Sequence, residues 1–282
     1  MKHIKENLMQ FVFFAAACIS IAAVVLICVF LFASGVPAIQ EIGLFKFLLG
    51  TRWKPANDLY GILPMIVGSV YVTAGVLLIG VPVGILTAVF MARFCPKGLY
   101  RPIKAAVNLM AGIPSVIYGF FGLVVLVPFV RDTFGGRGHS ILTASLLLGL
   151  MILPTVISVS ETAIRAVPQS CYEGALALGA SHERSVFYAV LPAAKSGIFA
   201  GVVLGIGRAV GETMAVKMVA GNQPVIPGGI LDGVRTLTTN IVLEMGYSTD
   251  LHREALIGTA VVLFVLILMI NISLSLFKRR VR

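Results

Sequence analysis

Residues 161–195 read ETAIRAVPQSCYEGALALGASHERSVFYAVLPAAK, and the fold turns on this stretch. Its apolar spacing is helical but broken in the middle. Pro168 suits the first turn of a helix, where its missing N–H would be unsatisfied anyway. Gln169 to Leu178 can continue that helix, and Gly179 suits the left-handed residue that ends it. Ser181 can cap a second short helix with Glu183 near its positive end, and Leu191-Pro192 closes it. Two short helices joined at a glycine make a compact knob. Tyr172, Ala175 and Leu176 recur at helical spacing on one face, and exposed apolar groups on a knob mark a docking surface.

The knob lies between apolar runs long enough to cross a bilayer, which takes about 20 residues of helix. Six such runs occur, at Phe11–Ala33, Leu63–Phe90, Ala105–Val127, Ile141–Val159, Ile198–Ala220 and Ala255–Phe277. Composition agrees. Of 282 residues, 58% are hydrophobic and 12% charged, against roughly 25% charge in a soluble domain. The surplus apolar surface calls for lipid. The first run follows Lys2, His3 and Lys5, as in a signal peptide, but it outruns the ~7–15 residues of such a segment and reads as an uncleaved helix.

Alternate loops differ in basic content. One side holds 13 Lys and Arg, including those of the knob and both chain ends, and the other holds 7. The positive-inside rule then places the knob and both termini in the cytoplasm. The expected fold class is an all-α membrane protein of six spans, with the knob as a cytoplasmic loop between the fourth and fifth.

Inside the spans, Pro82, Pro114 and Pro154 interrupt apolar runs, and Pro128 closes the third. Gly112, Gly119 and Gly122 offer close helix approach there. The alternatives are simple bundle packing and a kinked helix lining a pathway, in which case Ser115 and Tyr118 face it. In the fifth run Arg208 stands about ten residues in from Ile198, roughly 15 Å at 1.5 Å per residue. A charge at that depth costs at least ~2.5 kcal/mol, so it should face protein or water. Glu212 is four residues on and can pair with it, and Thr213 lies nearby but off that face. The pair either orients the helix or offers an oxyanion a transient partner, since an Arg fork donates two parallel hydrogen bonds. Lys217 reads as an interfacial anchor, and Glu161 with Arg165 as a solvated pair. The outer segments 34–62 and 221–253, the latter with a short helix over Ile230–Met245, cap the pathway or merely cover the bundle.

Several classes fall away. The net charge of +10 sits between apolar runs with few interleaved aromatics, which excludes nucleic-acid binding. Cys18, Cys28, Cys95 and Cys171 form no disulfide framework or CxxC. His3, His139, His182 and His252 form no metal spacing, and no metal, cofactor or catalytic constellation is expected.

The pattern Glu173-Gly-Ala175-x3-Gly179-x9-Ala189-x-Leu191-Pro192 closely resembles the EAA loop of ABC-importer permeases, with Gly174 and Ala189 where that family often has Ala and Ile. The six-span layout and the loop's place before the fifth span are similar too. Within the family, LLGTRWKP (48–55), YGILP (60–64), AGIPSVIYGFFGL (111–123) and GRAVGETMAV (207–216) resemble the PstC type of phosphate permease subunit.

The resemblance implies a permease rather than an enzyme, with an N-terminal helix and outer loop over 1–62 and a permease core over 63–282. It implies that Tyr172, Glu173, Ala175, Leu176, Gly179, Leu191 and Pro192 couple to a separate ATPase dimer (PstB-like) that carries the ATP and Mg. No GxxxxGK[ST] loop is present here. It also implies a second homologous permease (PstA-like) and an external phosphate-binding protein (PstS-like). Three alternatives stand beside it. One is the same architecture importing sulfate, molybdate or another solute, the second is the PstA-type partner itself, and the third is an ion-coupled secondary transporter.

Overall fold

The computed structural model describes residues 2–280. Arg282, counted above for orientation, lies outside them, as do Met1 and Val281. Among the described residues six helices are long and apolar enough to span, at Met9–Ile42, Leu63–Phe94, Ser115–Phe134, Ile141–Arg165, His182–Gly211 and Asp250–Ser273. All six expected runs are therefore helices, but their bounds move. The first helix continues to Ile42, past the expected loop start at Ser34.

The third span is displaced by a full element. Residues Lys97–Gly112 form a separate amphipathic helix, and the span begins only at Ser115. Pro114 dictates the division, because its ring disfavours a helical conformation at Ile113, which is extended. The span then passes Pro128 without closing and runs to Phe134. A widened turn over Gly122–Leu126 precedes that proline and leaves room for its ring.

The fifth span shifts the other way. It starts at His182, within the loop, and stops at Gly211, followed by a short helix Met214–Val219. A widened turn at Val186–Val190 carries the chain through Leu191 and Pro192, which open the next helical segment instead of closing the previous one. The loop is therefore one short helix and the root of a span, not two free helices.

The fourth span is the hub. Two thirds of its most apolar window (67%) is buried, against none (0%) for the first span. Leu147, Leu148, Met151, Ile152 and Val156 pack with Val72 and Val76 of the second span and Ala209 near the end of the fifth. Small residues bring the backbones together, as lipid-embedded packing requires. Gly80 and Gly84 of the second span abut Ile152 and Val156, and Gly201 and Gly205 of the fifth abut Ser160 and Val156. The first span packs through Gly35 on Val261 and Phe32 on Phe264, and leaves Phe11, Phe14 and Leu26 exposed for lipid.

At the end opposite the 161–195 loop, hereafter the far side, Trp53–Lys54 and Leu59–Tyr60 form a small antiparallel pair. The helix expected over Ile230–Met245 is shorter, Leu237–Glu244, and opens with a capping box at Thr236 and Thr239.

Candidate functional site

The loop is built as its sequence dictates at the glycine. Gly179 has φ +83°, and its N–H donates to the Leu176 carbonyl at 2.9 Å. The Ala180 N–H reaches back to Ala175 at 3.1 Å, completing a Schellman end to the Gln169–Ala177 helix. Ser181 Oγ accepts from Arg184 N at 3.3 Å and caps the next helix.

The expected common face divides. Tyr172 turns inward, donating or accepting at His182 Nδ1 (2.7 Å) and lying under the Arg93 guanidinium at 5.8 Å. Ala175 is half-buried, while Glu173, Leu176 and Gly179 are exposed. The outward apolar residues also include Leu178, at 91% exposure, and Tyr188, at 81%. Sequence reading passed over both, although Leu178 stands beside the turn glycine and Tyr188 within the same segment.

Beneath the loop lies a charged joint. Glu161 is 2% exposed and is not a solvated partner of Arg165. Its carboxylate accepts from Tyr100 Oη at 2.7 Å, Lys104 Nζ at 2.7 Å and Arg165 Nε at 2.8 Å. A carboxylate so deep needs several donors to offset desolvation. Arg165 also donates to the Met91 carbonyl at 2.8 Å and lies over the Tyr100 ring at 4.6 Å. Arg93 donates to the Ile164 carbonyl at 3.2 Å. The hydrogen bond to Glu161, helped by burial, pushes the Tyr100 phenol above its ordinary value. The ends of the second and fourth spans, the Lys97–Gly112 helix and the loop thus meet at one place. Proximity of residues 100 and 104 to 161 carries no local sequence signal.

A second cluster forms where the fifth span breaks. Arg208 and Glu212 do not pair. The helix ends at Gly211, so Glu212 leaves Arg208's face and its Oε1 accepts from Ala215 N at 3.1 Å. Thr213 Oγ1 donates to the Gly211 carbonyl at 3.2 Å. Arg208 is exposed, with no hydrogen bond or ion pair among the described residues. It stands in the last turn of its helix, where a cation is favoured by the macrodipole.

Tyr118 is buried and donates to the Met110 carbonyl at 2.9 Å, bracing the break at Pro114, while Ser115 beside it is half-buried. Gly119 and Gly122 meet Met218 and Val219, as close-approach glycines should, but Gly112 meets nothing. Lys217 is half-buried, and its carbonyl accepts from Asn222 Nδ2 at 2.7 Å.

Behind this break a cavity of about 10 Å³ is lined by Ser69, Thr73, Glu212, Thr236 and Thr238 with apolar neighbours. It has room for one water. Ser69 Oγ accepts from Leu237 N at 3.0 Å, and Thr238 Oγ1 donates to the Glu212 carbonyl at 3.2 Å. Sequence reading missed these hydroxyls. Their signal was the presence of Ser69 and Thr73 within an apolar run. Among the described residues no group of three or more His, Cys, Asp or Glu is placed to hold a metal, and all four cysteines are free thiols.

Comparison with known proteins fits this architecture. Residues 80–282 match the signature of the family described as "Binding-protein-dependent transport system inner membrane component". The chain is 42% identical over 240 residues to the "Probable ABC transporter permease protein YqgH" of Bacillus subtilis, covering 83% of this chain and 78% of that one. It is 36% identical over 261 residues to the "Phosphate transport system permease protein PstC" of Mesorhizobium japonicum, covering 85% and 80%. Among solved structures, a bacterial alginate ABC transporter with its pentasaccharide-bound periplasmic protein superposes with a TM-score of 0.63 at 16% identity, covering 95% of each chain. An inward-facing MetNI methionine transporter gives 0.60 at 23% identity, covering 82% of this chain and all (100%) of that one. A multi-pass, mostly helical chain with these relatives is a transport component and not an enzyme, and it belongs to the inner-membrane permease subunits of binding-protein-dependent ABC importers.

Proposed function

We propose that this chain forms part of the translocation pathway for inorganic phosphate, as the PstC-type subunit of its importer. In this reading it pairs with a second, PstA-like permease, a PstB-like ATPase dimer that holds the ATP and Mg, and an external PstS-like phosphate-binding protein. The PstC relatives support the cargo. The 13-to-7 split of basic residues supports both termini and the loop lying in the cytoplasm.

The carrying observation is Arg208, an exposed guanidinium at the broken end of a span with no hydrogen bond or ion pair among the described residues. A phosphate oxyanion would take up two of its donors in parallel. With Glu212 turned away to cap the next helix, no fixed carboxylate competes for the fork. A conduit must also release its ion, which a single exposed cation allows more readily than a closed cage.

The coupling route is read from the loop inward. Glu173, Leu176 and Gly179 are exposed for the ATPase, while Tyr172 connects through Arg93 to the second and fourth spans. Arg165 and Glu161 carry the connection to Tyr100 and Lys104. Their helix ends at Gly112, where the Met110 carbonyl accepts from Tyr118 of the third span. ATPase closure that moved the loop would thus move the floor of the pathway. Leu191 and Pro192 carry the fifth span on from its widened turn at Val186–Val190.

Arg208→Gln is the test, with phosphate uptake and copurification of the other subunits measured together. Uptake should fall by about tenfold to a hundredfold, the equivalent of the ~1.5–3 kcal/mol of a hydrogen bond to a charged group. Assembly should be unchanged. Wild-type uptake by an assembled variant would remove Arg208 from the pathway. Uptake of sulfate or molybdate in place of phosphate would move the cargo to another oxyanion.

A further inference from the structure

On the loop side, a cleft of about 670 Å³ lies between the end of the second span and the Lys97–Gly112 helix. Arg93, Lys97, Arg101 and Arg165 line it, with Tyr100 and Cys95, and no carboxylate does. The positive-inside rule accounts for basic residues on this side. It does not account for their convergence on one concavity.

Their placement works against the chain itself. Lys97 and Arg101 are four residues apart at the start of a helix, with no acidic residue in its first turn. Like charges at that spacing are unfavourable, and cations at a helix N-terminus oppose the macrodipole. Pro96 precedes the helix and offers no side-chain cap to its free N–H groups. Among the described residues neither Lys97 nor Arg101 has a hydrogen bond or ion pair. Arg93 Nε is buried without a partner. An anion in the cleft would offset the charges of Lys97 and Arg101 and meet the first two N–H groups of the helix, those of Lys97 and Gly98.

We infer that this cleft binds a phosphate group, carried either by free inorganic phosphate or by the headgroup of an anionic phospholipid. Arginine forks match a tetrahedral oxyanion in two-point fashion, and the uncapped helix start presents N–H groups to it. The bound group would sit against Arg93, which also lies over Tyr172 of the loop, so occupancy would stiffen the junction between loop and bundle. The inference draws on the cleft alone and is independent of which solute the permease carries.

Cys95 lines the cleft and reports on it. The assembled complex, in nanodiscs that expose both faces, is treated with a thiol-reactive maleimide, and the Cys95 and Cys171 peptides are quantified by mass spectrometry. In phosphatidylcholine discs, millimolar inorganic phosphate should slow Cys95 modification by about fivefold or more. Cys171, outside the cleft, should keep its rate. If phosphatidylglycerol discs give the same protection without added phosphate, the ligand is a lipid headgroup. Lys97→Gln with Arg101→Gln should abolish protection from either source, and because both side chains are exposed and unpartnered, that variant should assemble normally. Equal Cys95 rates with phosphate, with phosphatidylglycerol and with neither would overturn the assignment. So would protection that survives the double variant. Phosphate uptake, measured separately in sealed vesicles, tests the cargo, and neither result there alters the labelling outcome.

Discussion

A buried glutamate holds each end of the bundle, and the two are surrounded differently. On the loop side, Glu161 gathers a phenol and two permanent cations, Lys104 and Arg165. On the far side, Glu244 gathers Arg235, the Trp53 indole N–H at 2.8 Å and His252 Nε2 at 2.9 Å. Arg235 is further tied to Asn240 Oδ1 and the Asn222 carbonyl, each at 3.0 Å. Trp53, Tyr60, Tyr247 and His252 close over that carboxylate as a cluster of rings. The exposure of the partners separates the two sites. Arg235 is 14% exposed, while Lys104 is 28% and Arg165 45%. The far site is a sealed clasp. The loop-side site is a joint with cations to spare, beside an open cleft.

The sharpest way to break this contrast is to remove each carboxylate. Glu244→Leu strands Arg235 where water scarcely reaches it, at a cost of about 3–5 kcal/mol. Glu161→Leu lets Lys104 and Arg165 swing out to solvent, so the loss is about 1–3 kcal/mol, the scale of unmade hydrogen bonds. Thermal dissociation of the purified complex, followed by size exclusion, should rank Glu244→Leu as the less stable. The reverse order would mean that the loop-side joint, and not the clasp, is the closed one.

Glycines sharpen the same contrast. On the far side Gly50 and Gly61 lie backbone to backbone, and a Cβ on Gly61 would strike the Gly50 main chain. On the loop side Gly179 has nothing within 4 Å of where its Cβ would stand, and it is glycine because φ is +83°. Gly179→Ala therefore meets no steric neighbour and costs roughly 1–2 kcal/mol of backbone strain. That strain falls on the turn presenting Leu176 and Leu178. ATPase activity of the assembled complex should lose its dependence on transport, while melting of the bundle changes little. Unchanged coupling would detach Gly179 from the docking surface.

What the sequence disclosed follows the range of the forces involved. Apolar runs are read in windows and gave all six spans. The Gly179 turn and Ser181 cap are local hydrogen-bond motifs, and they stand as written in the chain. The failures occur where a window crosses a break. Ala105–Gly112 was apolar enough to be merged with the third span, although Lys97, Arg101 and Lys104 mark a helix with a basic face and Pro114 marks its end. Arg208 and Glu212 looked paired only while the helix was assumed to continue past Gly211. The Glu161 joint was hidden for a different reason. Beyond Arg165, its two other donors lie 57 and 61 residues away in sequence, and no periodicity reports a contact between elements.

Tyr100 offers the mildest probe of the joint, because Tyr100→Phe removes one hydroxyl and keeps the ring under Arg165. Glu161 would retain Lys104 and Arg165, so its charge stays matched. The variant should lose about 0.5–1.5 kcal/mol, one hydrogen bond's net worth. Any effect on transport should come through the Lys97–Gly112 helix, which Tyr100 ties to the fourth span and which leads through Pro114 to Tyr118. Uptake should fall modestly while ATPase activity is kept, an uncoupling that a purely stabilising contact would not produce. If both fall in proportion to the amount of assembled complex, the hydroxyl serves folding alone, and the loop-side joint resembles the far-side clasp more than its exposed cations imply.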